Sequence, residues 1–385
     1  MKILFTGGGS GGHIFPIIAI FREIKRIYPK ESLKCYFIGP KDEFSSILLS
    51  QEGIKTKWIE AGKFRRYLTP VSFFQNIFDV FFRTPFGVFQ SFFHIFFMAP
   101  DMIFSKGGYG SVPPAIAGKI LGVPVFLHES DSEIGMANKF LSKLAIEIFV
   151  SFPIKRTGYL PLKKILWVGN PIRRELLHGT KEEAKDMFKL TSEKPVILIL
   201  GGSQGSQRIN EMVIDNLSQM LQDFELIHQC GEKNYKQIRA EMEAVIHEDF
   251  KKYYHLYPFF KEIELKQAYA AADLIVSRGG SGSIFEIAAL EKPSIIIPLP
   301  ESAQNHQMKN AYLYAESGAT SVIEEGNLTS RFFLEKLRYL FSRTQELNKM
   351  KKSAKDFSKP LAAKIIASYI IAFLKPKKVM DIPIE

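Results

Sequence analysis

A short apolar run, a glycine-rich loop and the start of a helical pattern follow one another twice in this chain. The first copy contains FTGGGSGGHIFP at Phe5–Pro16, and the second contains LGGSQGSQRIN at Leu200–Asn210. This order leaves unpaired backbone N–H groups at the start of a helix, where the helix dipole favours an anion. The chain is therefore predicted to build two phosphate-binding loops, one at the beginning of each half.

Short β-rich runs alternate with amphipathic helical patterns throughout both halves. Strands are predicted at Lys2–Thr6, Lys34–Gly39, Thr56–Ala61, Asp101–Ser105, Pro124–His128, Ile146–Ser151, Pro195–Leu200, Glu225–Gln229, Tyr253–Tyr257, Asp273–Ser277 and Ser294–Pro298. This alternation favours two doubly wound parallel sheets with right-handed crossovers, an α/β fold. Ligands of such sheets bind outside the carboxyl ends of the strands, so we expect the chemistry in a cleft between two domains.

The length of 385 residues fits two domains. The apolar run Ile165–Val168 ends in the turn-forming cluster Gly169–Pro171, which a helix cannot cross. We therefore predict a first domain over 1–168 and a second over 169–357. A last amphipathic helix, at about 358–385, is expected to pack back on the first domain, with a frayed end.

The composition indicates which kinds of partner the protein binds and in which cellular compartment it works. A formal charge of +11 favours anionic partners such as nucleic acid, acidic lipid or phosphorylated substrates. Two cysteines, Cys35 and Cys230, are too few for a disulfide framework and are predicted to be buried thiols in a reducing compartment. The residues Met1–Thr6 lack the length of a secretory apolar segment, so we expect a cytoplasmic protein.

The first glycine loop matches neither common nucleotide signature. The run Gly7–Gly12 lacks the Lys-Ser/Thr ending of a P-loop, and no acidic residue closes a following strand as in dinucleotide-binding folds. Hydride chemistry is therefore disfavoured. His13 comes directly after the loop. A lone histidine is more often a structural hydrogen-bonding group than a base, but the position beside so many glycines favours a functional role.

A second strand, loop and helix start lies at Asp273–Glu286, where backbone amides could hold another phosphate. Glu286 either complements the helix dipole or accepts hydrogen bonds from ribose hydroxyls, and these two readings are about equal. The polar cluster Gln304–Gln307 opens the next helical segment. Its side chains either cap that helix or contact sugar hydroxyls.

Two further clusters, Ser105–Ser111 and His128–Asp131, follow first-domain strands, where ligands of parallel sheets bind. For His128 and Glu129, a hydrogen-bonded pair that shapes the loop is as well supported as a catalytic role. The sequence contains no Asp-x-Asp and no metal-site spacing of His, Cys and carboxylates, so no metal is predicted. Helix ends and cations such as Arg173 would then meet the charge of a leaving group.

The segment Ser72–Ala99 holds eleven of the 33 phenylalanines, most of them at helical spacing. Polar and helix-breaking residues such as Asp79 and Arg83 argue against a membrane span. The remaining readings are a long core helix and a patch that dips into the bilayer interface, aided by nearby basic residues. Those basic residues are Lys63, Arg65, Arg66 and Arg83. The aromatic surface is too wide for one packing face, which favours membrane contact. Nucleic acid is not predicted as a partner, because the basic residues do not interleave with the aromatic residues.

Seven segments resemble, in order, the motifs of the MurG family of peptidoglycan N-acetylglucosaminyltransferases. They are GGGSGGHIFP, GGYGSVPPAIAG, HESDSEIGMANKFLS, VGNPIRREL, GGSQGSQRIN, AYAAADLIVSRGGSGSIFEIAAL and NHQMKNA. The resemblance runs from the first strand to about Ser317. It implies a GT-B fold, in which two Rossmann-like doubly wound domains face each other across a cleft. It also implies a peripheral enzyme at the cytoplasmic face of the cell membrane that needs no cofactor.

The resemblance implies inverting transfer of GlcNAc from UDP-GlcNAc to the muramyl 4-hydroxyl of undecaprenyl-linked lipid I, which gives lipid II. It places His13 as the catalytic base and makes Phe73–Phe97 the contact with an anionic membrane surface. The implied UDP-GlcNAc contacts are Ser10, Gly11, Gly12, Asp131, Arg173, Ser203, Phe260, Ser281, Gly282, Ser283, Ile284, Phe285, Glu286 and Gln307. Candidate acceptor or sugar contacts are Gly108, Tyr109, His128, Glu129 and His306.

The chain departs from the family pattern at three places. Asp131 stands where the family usually has Asn, Gly279–Ser281 replaces Ser-Gly-Ala, and the spacing between Phe260 and Asp273 is longer than usual. Two other readings remain at this stage. Another enzyme on the same scaffold, a UDP-GlcNAc 2-epimerase or a glycolipid transferase, would share the donor loops. A membrane-peripheral nucleotide-sugar sensor would bind the donor without catalysis.

Overall fold

The computed structural model describes residues 1–8, 11–65, 69–153, 162–202, 205–300 and 302–375. The chain divides into two compact units. The N-terminal unit comprises Met1–Ser130, Ile134–Pro171 and the segment that begins at Leu361. The C-terminal unit comprises Asp131–Glu133 and Ile172–Pro360.

The N-terminal unit contains a seven-stranded parallel sheet in the order β3-β2-β1-β4-β5-β6-β7. Its strands are β1 Lys2–Thr6, β2 Lys34–Gly39, β3 Lys55–Trp58, β4 Met102–Ser105, β5 Val125–Glu129, β6 Glu147–Val150 and β7 Ile165–Trp167. The helices that precede Pro171 are α1 Gly11–Ile27, α2 Glu43–Gln51, α3 Pro70–Phe78, α4 Thr84–Met98, α5 Val112–Ile120 and α6 Met136–Leu141. Central strands such as β4 and β5 are buried along their whole length, as in parallel sheets covered on both faces.

The C-terminal unit contains a six-stranded parallel sheet in the order β10-β9-β8-β11-β12-β13. Its strands are β8 Val196–Leu200, β9 Glu225–Gln229, β10 Tyr254–Tyr257, β11 Leu274–Ser277, β12 Ser294–Ile296 and β13 Thr320–Val322. Its helices are α7 Lys181–Phe188, α8 Gln207–Asp223, α9 Tyr235–Val245, α10 Glu262–Ala271, α11 Ser281–Ala289, α12 His306–Ala315, α13 Ser330–Phe341 and α14 Thr344–Phe357. The predicted α/β fold of two doubly wound parallel sheets is confirmed.

Strand order reverses beside the first strand of each sheet. In the N-terminal unit β1 lies between β2 and β4, and Thr6 pairs with Ser105 at the carboxyl ends of β1 and β4. In the C-terminal unit β8 lies between β9 and β11, and Leu200 pairs with Ser277. Ligands of open α/β sheets bind outside the carboxyl ends of strands at such a reversal. Each predicted glycine loop begins at one of these points.

Several predicted strand bounds differ from the structure, and two strands were not predicted. Strand β3 ends at Trp58 rather than Ala61, because its partner β2 ends at Gly39, which pairs with Trp58. The missed strands, β7 and β13, have three residues each, too few to show a period. Both cysteines are buried free thiols, as predicted.

The last described helix, α15 Ala362–Leu374, packs against α1 in the N-terminal unit. Its residues Ile366, Ile370 and Ile371 are buried in the core that also contains Ile14 and Ile17 of α1. The stretch Thr344–Leu374 has the length and hydropathy of a membrane-crossing helix. In the structure it consists of α14 and α15, separated by a break that contains Pro360, and the α15 core contact accounts for its apolar composition.

The phenylalanine-rich segment forms α3, a π-helical turn over Asp79–Arg83 and α4. Helix α4 buries Gly87, Ser91 and Ile95, and a Cβ added at Gly87 would lie 1.9 Å from the Glu60 carbonyl oxygen. Small residues thus bring α4 close to the rest of the unit. Ten phenylalanines of this segment are exposed and form what we call the phenylalanine surface: Phe73, Phe74, Phe78, Phe81, Phe82, Phe86, Phe89, Phe93, Phe96 and Phe97.

A buried carboxylate fixes the base of the phenylalanine surface. Asp79 is 2% exposed and accepts a hydrogen bond at 2.6 Å from Arg65 and another at 3.2 Å from Arg83. The two ion pairs account for charged residues inside an apolar segment, because a buried charge requires hydrogen-bonded partners. Arg66, also predicted to assist membrane contact, lies outside the described residues.

Candidate functional site

The carboxyl ends of β1 and β4 carry two glycine loops that are hydrogen-bonded to each other. The Lys106 N–H donates to the Thr6 carbonyl at 2.8 Å, and the Gly8 N–H donates to the Gly107 carbonyl at 3.0 Å. Gly107 and Gly108 have φ values of 86° and 81°, in the left-handed region that side chains disfavour. The glycine run after β1 and the cluster after β4 therefore form one surface at the strand-order reversal.

His13 lies against both of these loops, in the first turn of α1. A Cβ added at Gly8 would lie 3.1 Å from His13 Nδ1, and one added at Gly108 would lie 3.0 Å from His13 Nε2. Glycine at both positions therefore makes room for the imidazole. The ring is half-buried and stands at a helix start, beside the loops expected to hold an anionic ligand. Its role as base stays a prediction.

The other predicted contacts in these two loops are Ser10, Gly11 and Gly12 after β1 and Tyr109 after β4. Gly11 is buried and Gly12 exposed at the start of α1, and Ser10 lies outside the described residues. Tyr109 is half-buried next to Gly108, and burial, together with Asp42 and Asp79, raises the pKa of its phenol. Their ligand contacts stay predictions.

His128 is fully buried within the N-terminal unit rather than at its surface. Its Nδ1 lies 2.8 Å from Lys106 Nζ and its Nε2 lies 3.2 Å from the Gly169 carbonyl oxygen. A lysine ammonium only donates, so Nδ1 accepts and Nε2–H donates. Burial, reinforced by Lys106, holds the pKa of His128 well below its usual value, so the ring is neutral.

Glu129 is buried beside His128 and orders the chain that follows β5. Its Oε2 accepts hydrogen bonds from Asn138 Nδ2 at 2.8 Å and from the Gly135 N–H at 3.0 Å. This arrangement favours the loop-shaping reading of the His128–Glu129 pair, and the predicted sugar contacts stay predictions. Sequence reasoning included Lys106 only as one member of the cluster Ser105–Ser111 and did not select Asn138, because single polar side chains carry no periodic signal. Both side chains are more than 90% buried.

The loop after β11 leads directly into the start of α11 in the C-terminal unit. The helix begins Ser281-Gly282-Ser283, with no acidic residue in its first turn and no side-chain cap. A Cβ added at Gly280 or Gly282 would meet no described atom within 4 Å, so the helix start adjoins open space. The next two predicted contacts, Ile284 and Phe285, have buried side chains and can offer a ligand their backbone only. This is the geometry of an anion site at a helix start.

Arg278 connects this loop to the glycine loop after β8. Its Nη2 donates to Ser206 Oγ at 2.6 Å, and its Nη1 donates to Glu325 Oε2 at 2.8 Å. Ser206 in turn caps α8, because its Oγ accepts from the Ile209 N–H at 3.3 Å. The two loops at the second strand-order reversal are therefore held together. Ser203, predicted from the β8 loop, lies outside the described residues.

Glu286 forms a network with two buried side chains. Tyr269 donates its hydroxyl proton to Glu286 Oε2 at 2.8 Å, and Arg173 Nη2 lies 3.5 Å from Glu286 Oε1. Arg173 Nη1 also donates to Glu262 at 3.2 Å, and the Arg173 side chain is 6% exposed. The structure thus brings Arg173 to the expected ribose-binding carboxylate. Its contact with a diphosphate stays a prediction.

The start of α12 carries the predicted sugar contacts. Gln304 and Asn305 have φ values of 59° and 55°, a strained conformation of the kind that concentrates at functional sites. His306 and Gln307 follow, both half-buried, and Gln307 Oε1 accepts from the Leu299 N–H at 3.1 Å. A Cβ added at Gly279 would lie 2.5 Å from the Gln307 carbonyl oxygen, so α12 lies directly beside the β11 loop.

Asn310 holds the segment Asp131–Glu133 within the C-terminal unit. This buried amide donates to Asp131 Oδ1 at 2.9 Å and to the Gly279 carbonyl at 3.3 Å, and it accepts from the Ser132 N–H at 2.8 Å. Asp131 is thereby placed beside the β11 loop. Sequence reasoning did not select Asn310. The one signal that could have drawn attention to it is that asparagine is a poor helix former, yet here it lies inside a helical segment.

Phe260 is placed in the interior. Its side chain is 2% exposed and packs against Tyr257 and Phe188, with ring centroids 5.0 and 6.1 Å away. The Phe260 N–H donates to Gln229 Oε1 at 3.3 Å. A donor contact at this residue stays a prediction. Within the described part of the chain, no group of three or more His, Cys, Asp or Glu side chains is arranged to hold a metal ion.

Two family models match the chain. The glycosyltransferase family 28 N-terminal domain matches residues 3–150, and the family 28 C-terminal domain matches residues 196–366. Among solved structures, Acinetobacter baumannii MurG aligns with a TM-score of 0.71 at 23% identity, covering 96% of this chain and 99% of that one. UDP-GlcNAc 2-epimerase from Neisseria meningitidis bound to UDP-GlcNAc aligns with a TM-score of 0.67 at 16% identity, covering 97% and 100%. At these identities the two structures show the fold alone.

Curated relatives share more of the sequence. Proteins from Clostridium tetani and Clostridium botulinum strain Langeland carry the name UDP-N-acetylglucosamine--N-acetylmuramyl-(pentapeptide) pyrophosphoryl-undecaprenol N-acetylglucosamine transferase. The first is 34% identical over 92% of this chain and 94% of its own length. The second is 35% identical over 96% of this chain and 99% of its own length. The chain therefore belongs to the MurG family of these N-acetylglucosamine transferases, within glycosyltransferase family 28.

Proposed function

We propose that this enzyme transfers GlcNAc from UDP-GlcNAc to the muramyl 4-hydroxyl of undecaprenyl-pyrophosphoryl-MurNAc-pentapeptide, lipid I, with inversion. The products are lipid II, a precursor of peptidoglycan, and UDP. The observation that carries the proposal is the 34–35% identity with named transferases along more than nine-tenths of the chain. The glycine loops at both strand-order reversals support it, because they are suited to a ligand that carries phosphate.

The C-terminal unit is proposed to bind the donor. The amides that begin α11 would contact the diphosphate, where the helix dipole stabilises the charge that develops on departing UDP. Glu286 would accept hydrogen bonds from the ribose. Gln307 and His306, at the start of α12 beside the same loop, would contact the GlcNAc hydroxyls.

The N-terminal unit is proposed to bind the acceptor, with His13 as general base. The imidazole takes the proton of the muramyl 4-hydroxyl while that oxygen attacks the anomeric carbon and the bond to the UDP oxygen breaks. One in-line displacement inverts the anomeric configuration. The two glycine loops that contact His13 make room for the ring, and the start of α1 beside them would favour the anionic part of a ligand.

Replacing Asp131 with asparagine tests the departure from the family pattern. The new side chain would keep the Asn310 hydrogen bond, since its amide oxygen can accept in place of the carboxylate oxygen now 2.9 Å away. The change removes a negative charge near an anionic donor. At about 8 Å in water, one charge pair is worth ~0.5 kcal/mol. We therefore expect D131N to lower the KM for UDP-GlcNAc about twofold, with less effect at high salt.

The charge-matched control for that variant is Asp215→Asn, on the exposed face of α8. Steady-state kinetics at low and high ionic strength measure both proteins. D215N is expected to leave the KM unchanged. An unchanged or increased KM in D131N would contradict a donor site next to Asp131.

The phenylalanine surface is proposed to bind the cytoplasmic face of the cell membrane, which would make the enzyme peripheral. An exposed apolar surface of ten phenylalanines, next to basic Arg83, fits the interface of an anionic bilayer. Arg83 lies over the ring of Phe78, with its guanidinium carbon 5.7 Å from the ring centroid, so charge and aromatic surface are adjacent. This placement would give the enzyme access to a lipid-linked acceptor.

UDP release from UDP-GlcNAc, measured with and without a lipid I analogue, tests the proposed activity. We expect release that depends on the analogue. An epimerase would instead convert UDP-GlcNAc to UDP-ManNAc without any lipid, and a sensor would bind the donor and release no UDP. Either of these results would contradict the proposal.

A further inference from the structure

Tyr269, in α10, places a buried polar atom next to Glu286 of α11. The residue is 1% exposed, and its hydroxyl donates to Glu286 Oε2 at 2.8 Å. Burial and the neighbouring Glu286 carboxylate raise the pKa of Tyr269 well above its usual value, so the phenol keeps its proton and acts as a donor. A buried hydroxyl of this kind is costly unless it is hydrogen-bonded, and here the bond joins it to the carboxylate expected to hold the ribose.

The two oxygens of Glu286 have different protein partners. Oε2 accepts from Tyr269, and Oε1 lies 3.5 Å from Arg173 Nη2. The terminal torsion of a glutamate is broad, so an isolated carboxylate would rotate freely. Partners on both oxygens fix the plane of the group. A carboxylate has about four lone-pair positions, so each oxygen still has an acceptor site available.

The three side chains of this network differ in their exposure to solvent. The Arg173 side chain is 6% exposed and Tyr269 is 1% exposed, whereas the Glu286 side chain is 12% exposed. The carboxylate is therefore the part of the network that a ligand can reach. Its two buried partners hold it from the inside.

We infer that Tyr269 is a positioning residue for recognition of the nucleotide ribose, and that it acts by orienting the Glu286 carboxylate toward a vicinal diol. The inference rests on the proposed function, in which Glu286 accepts from the ribose hydroxyls. Two adjacent ribose hydroxyls need an acceptor held in one plane. Removal of the Tyr269 hydroxyl would therefore weaken the binding of a ribonucleotide more than the binding of the matching deoxyribonucleotide.

The test compares UDP with 2′-deoxy-UDP as ligands of the full chain, measured by titration calorimetry. The wild-type protein should bind UDP more tightly. Tyr269→Phe removes one hydrogen bond to a charged group, and we expect it to weaken UDP binding about tenfold. Binding of 2′-deoxy-UDP should weaken less, so the preference for the ribose falls. Glu286→Gln should lower the same preference, and Y269F should lower it little further in that background.

The matched control is Tyr254→Phe. It also removes a buried tyrosine hydroxyl of the C-terminal unit, one that lies 2.8 Å from His228 Nδ1 and does not contact Glu286. Y254F should keep the wild-type preference. A second readout uses 3-fluorotyrosine at position 269, whose ¹⁹F resonance should shift more with UDP than with 2′-deoxy-UDP.

The outcomes separate the inference from the function on which it rests. The positioning role would be overturned if Y269F weakened the binding of UDP and 2′-deoxy-UDP equally, so that the preference was unchanged, or if the two ligands gave equal ¹⁹F shifts. In that case, UDP binding by the wild-type protein would still support the donor site. A wild-type protein that binds no UDP would overturn the proposed function and this inference together.

Discussion

His13→Ala is expected to lower the turnover of a lipid I analogue by about 10²–10⁴-fold, the usual contribution of a general base. Binding of UDP should remain nearly unchanged, because His13 belongs to the N-terminal unit and contacts the loops at Gly8 and Gly108. The variant removes the group that accepts the proton of the attacking hydroxyl. It leaves the donor residues around Glu286 as they are.

Two comparisons make the result specific to base catalysis. His247→Ala removes an exposed imidazole, 3.2 Å from Asp249, and should keep wild-type turnover. Protonation of an imidazole base lowers turnover on acidification, and this acid limb of the pH profile should disappear in H13A. Wild-type turnover in H13A, or loss of UDP affinity equal to the loss of turnover, would remove His13 from the role of base.

Replacing Phe82 and Phe89 together with serine should weaken binding to anionic vesicles by about 10- to 100-fold. Both rings are exposed, at 62% and 58%. Full burial of such a side chain in an apolar medium contributes ~1.5–3 kcal/mol, and two rings that dip partway into the interface fall within this range. Vesicle sedimentation measures binding, and UDP titration of the same samples reports on the donor site.

The control for the membrane variant is Phe332→Ser, which removes an aromatic ring of similar exposure, 50%, from α13. It should leave vesicle binding unchanged. Binding to neutral vesicles measures the apolar contribution alone. The attraction of the basic residues to anionic vesicles should be screened by salt. If the double variant is folded, binds UDP normally and still partitions onto vesicles like wild type, the phenylalanine surface is not the membrane contact.

Much of the fold could be predicted because its signals are local. Strands β1, β2 and β9 have the predicted bounds, since each is a short apolar or β-rich run with clear breaks around it. The two glycine loops can also be located from local sequence, because each is a run of glycines between a short apolar run and the start of a helical pattern. Strand β13 has three residues and left no pattern to detect.

The supporting residues of the candidate site could not be found in this way. Asn310 and Asp131 are 179 positions apart in the chain, and their hydrogen bond exists only after the C-terminal unit has folded. The sequence places Lys106 in the cluster after β4, but nothing local indicates that its side chain is 2% exposed and lies against His128. Tyr269 sits in an alanine-rich helix, and nothing local to it indicates the contact with Glu286.

The most direct test of the proposed activity is the structure of the product formed from isotopically labelled UDP-GlcNAc and lipid I. The expected product is a lipid-linked disaccharide in which the label is joined to the muramyl 4-hydroxyl with the β configuration, read from the anomeric proton coupling. One UDP should be released for each disaccharide formed, and none without lipid I. An α-linked product, or label that leaves the donor or epimerises without lipid I, would contradict inverting transfer to this acceptor.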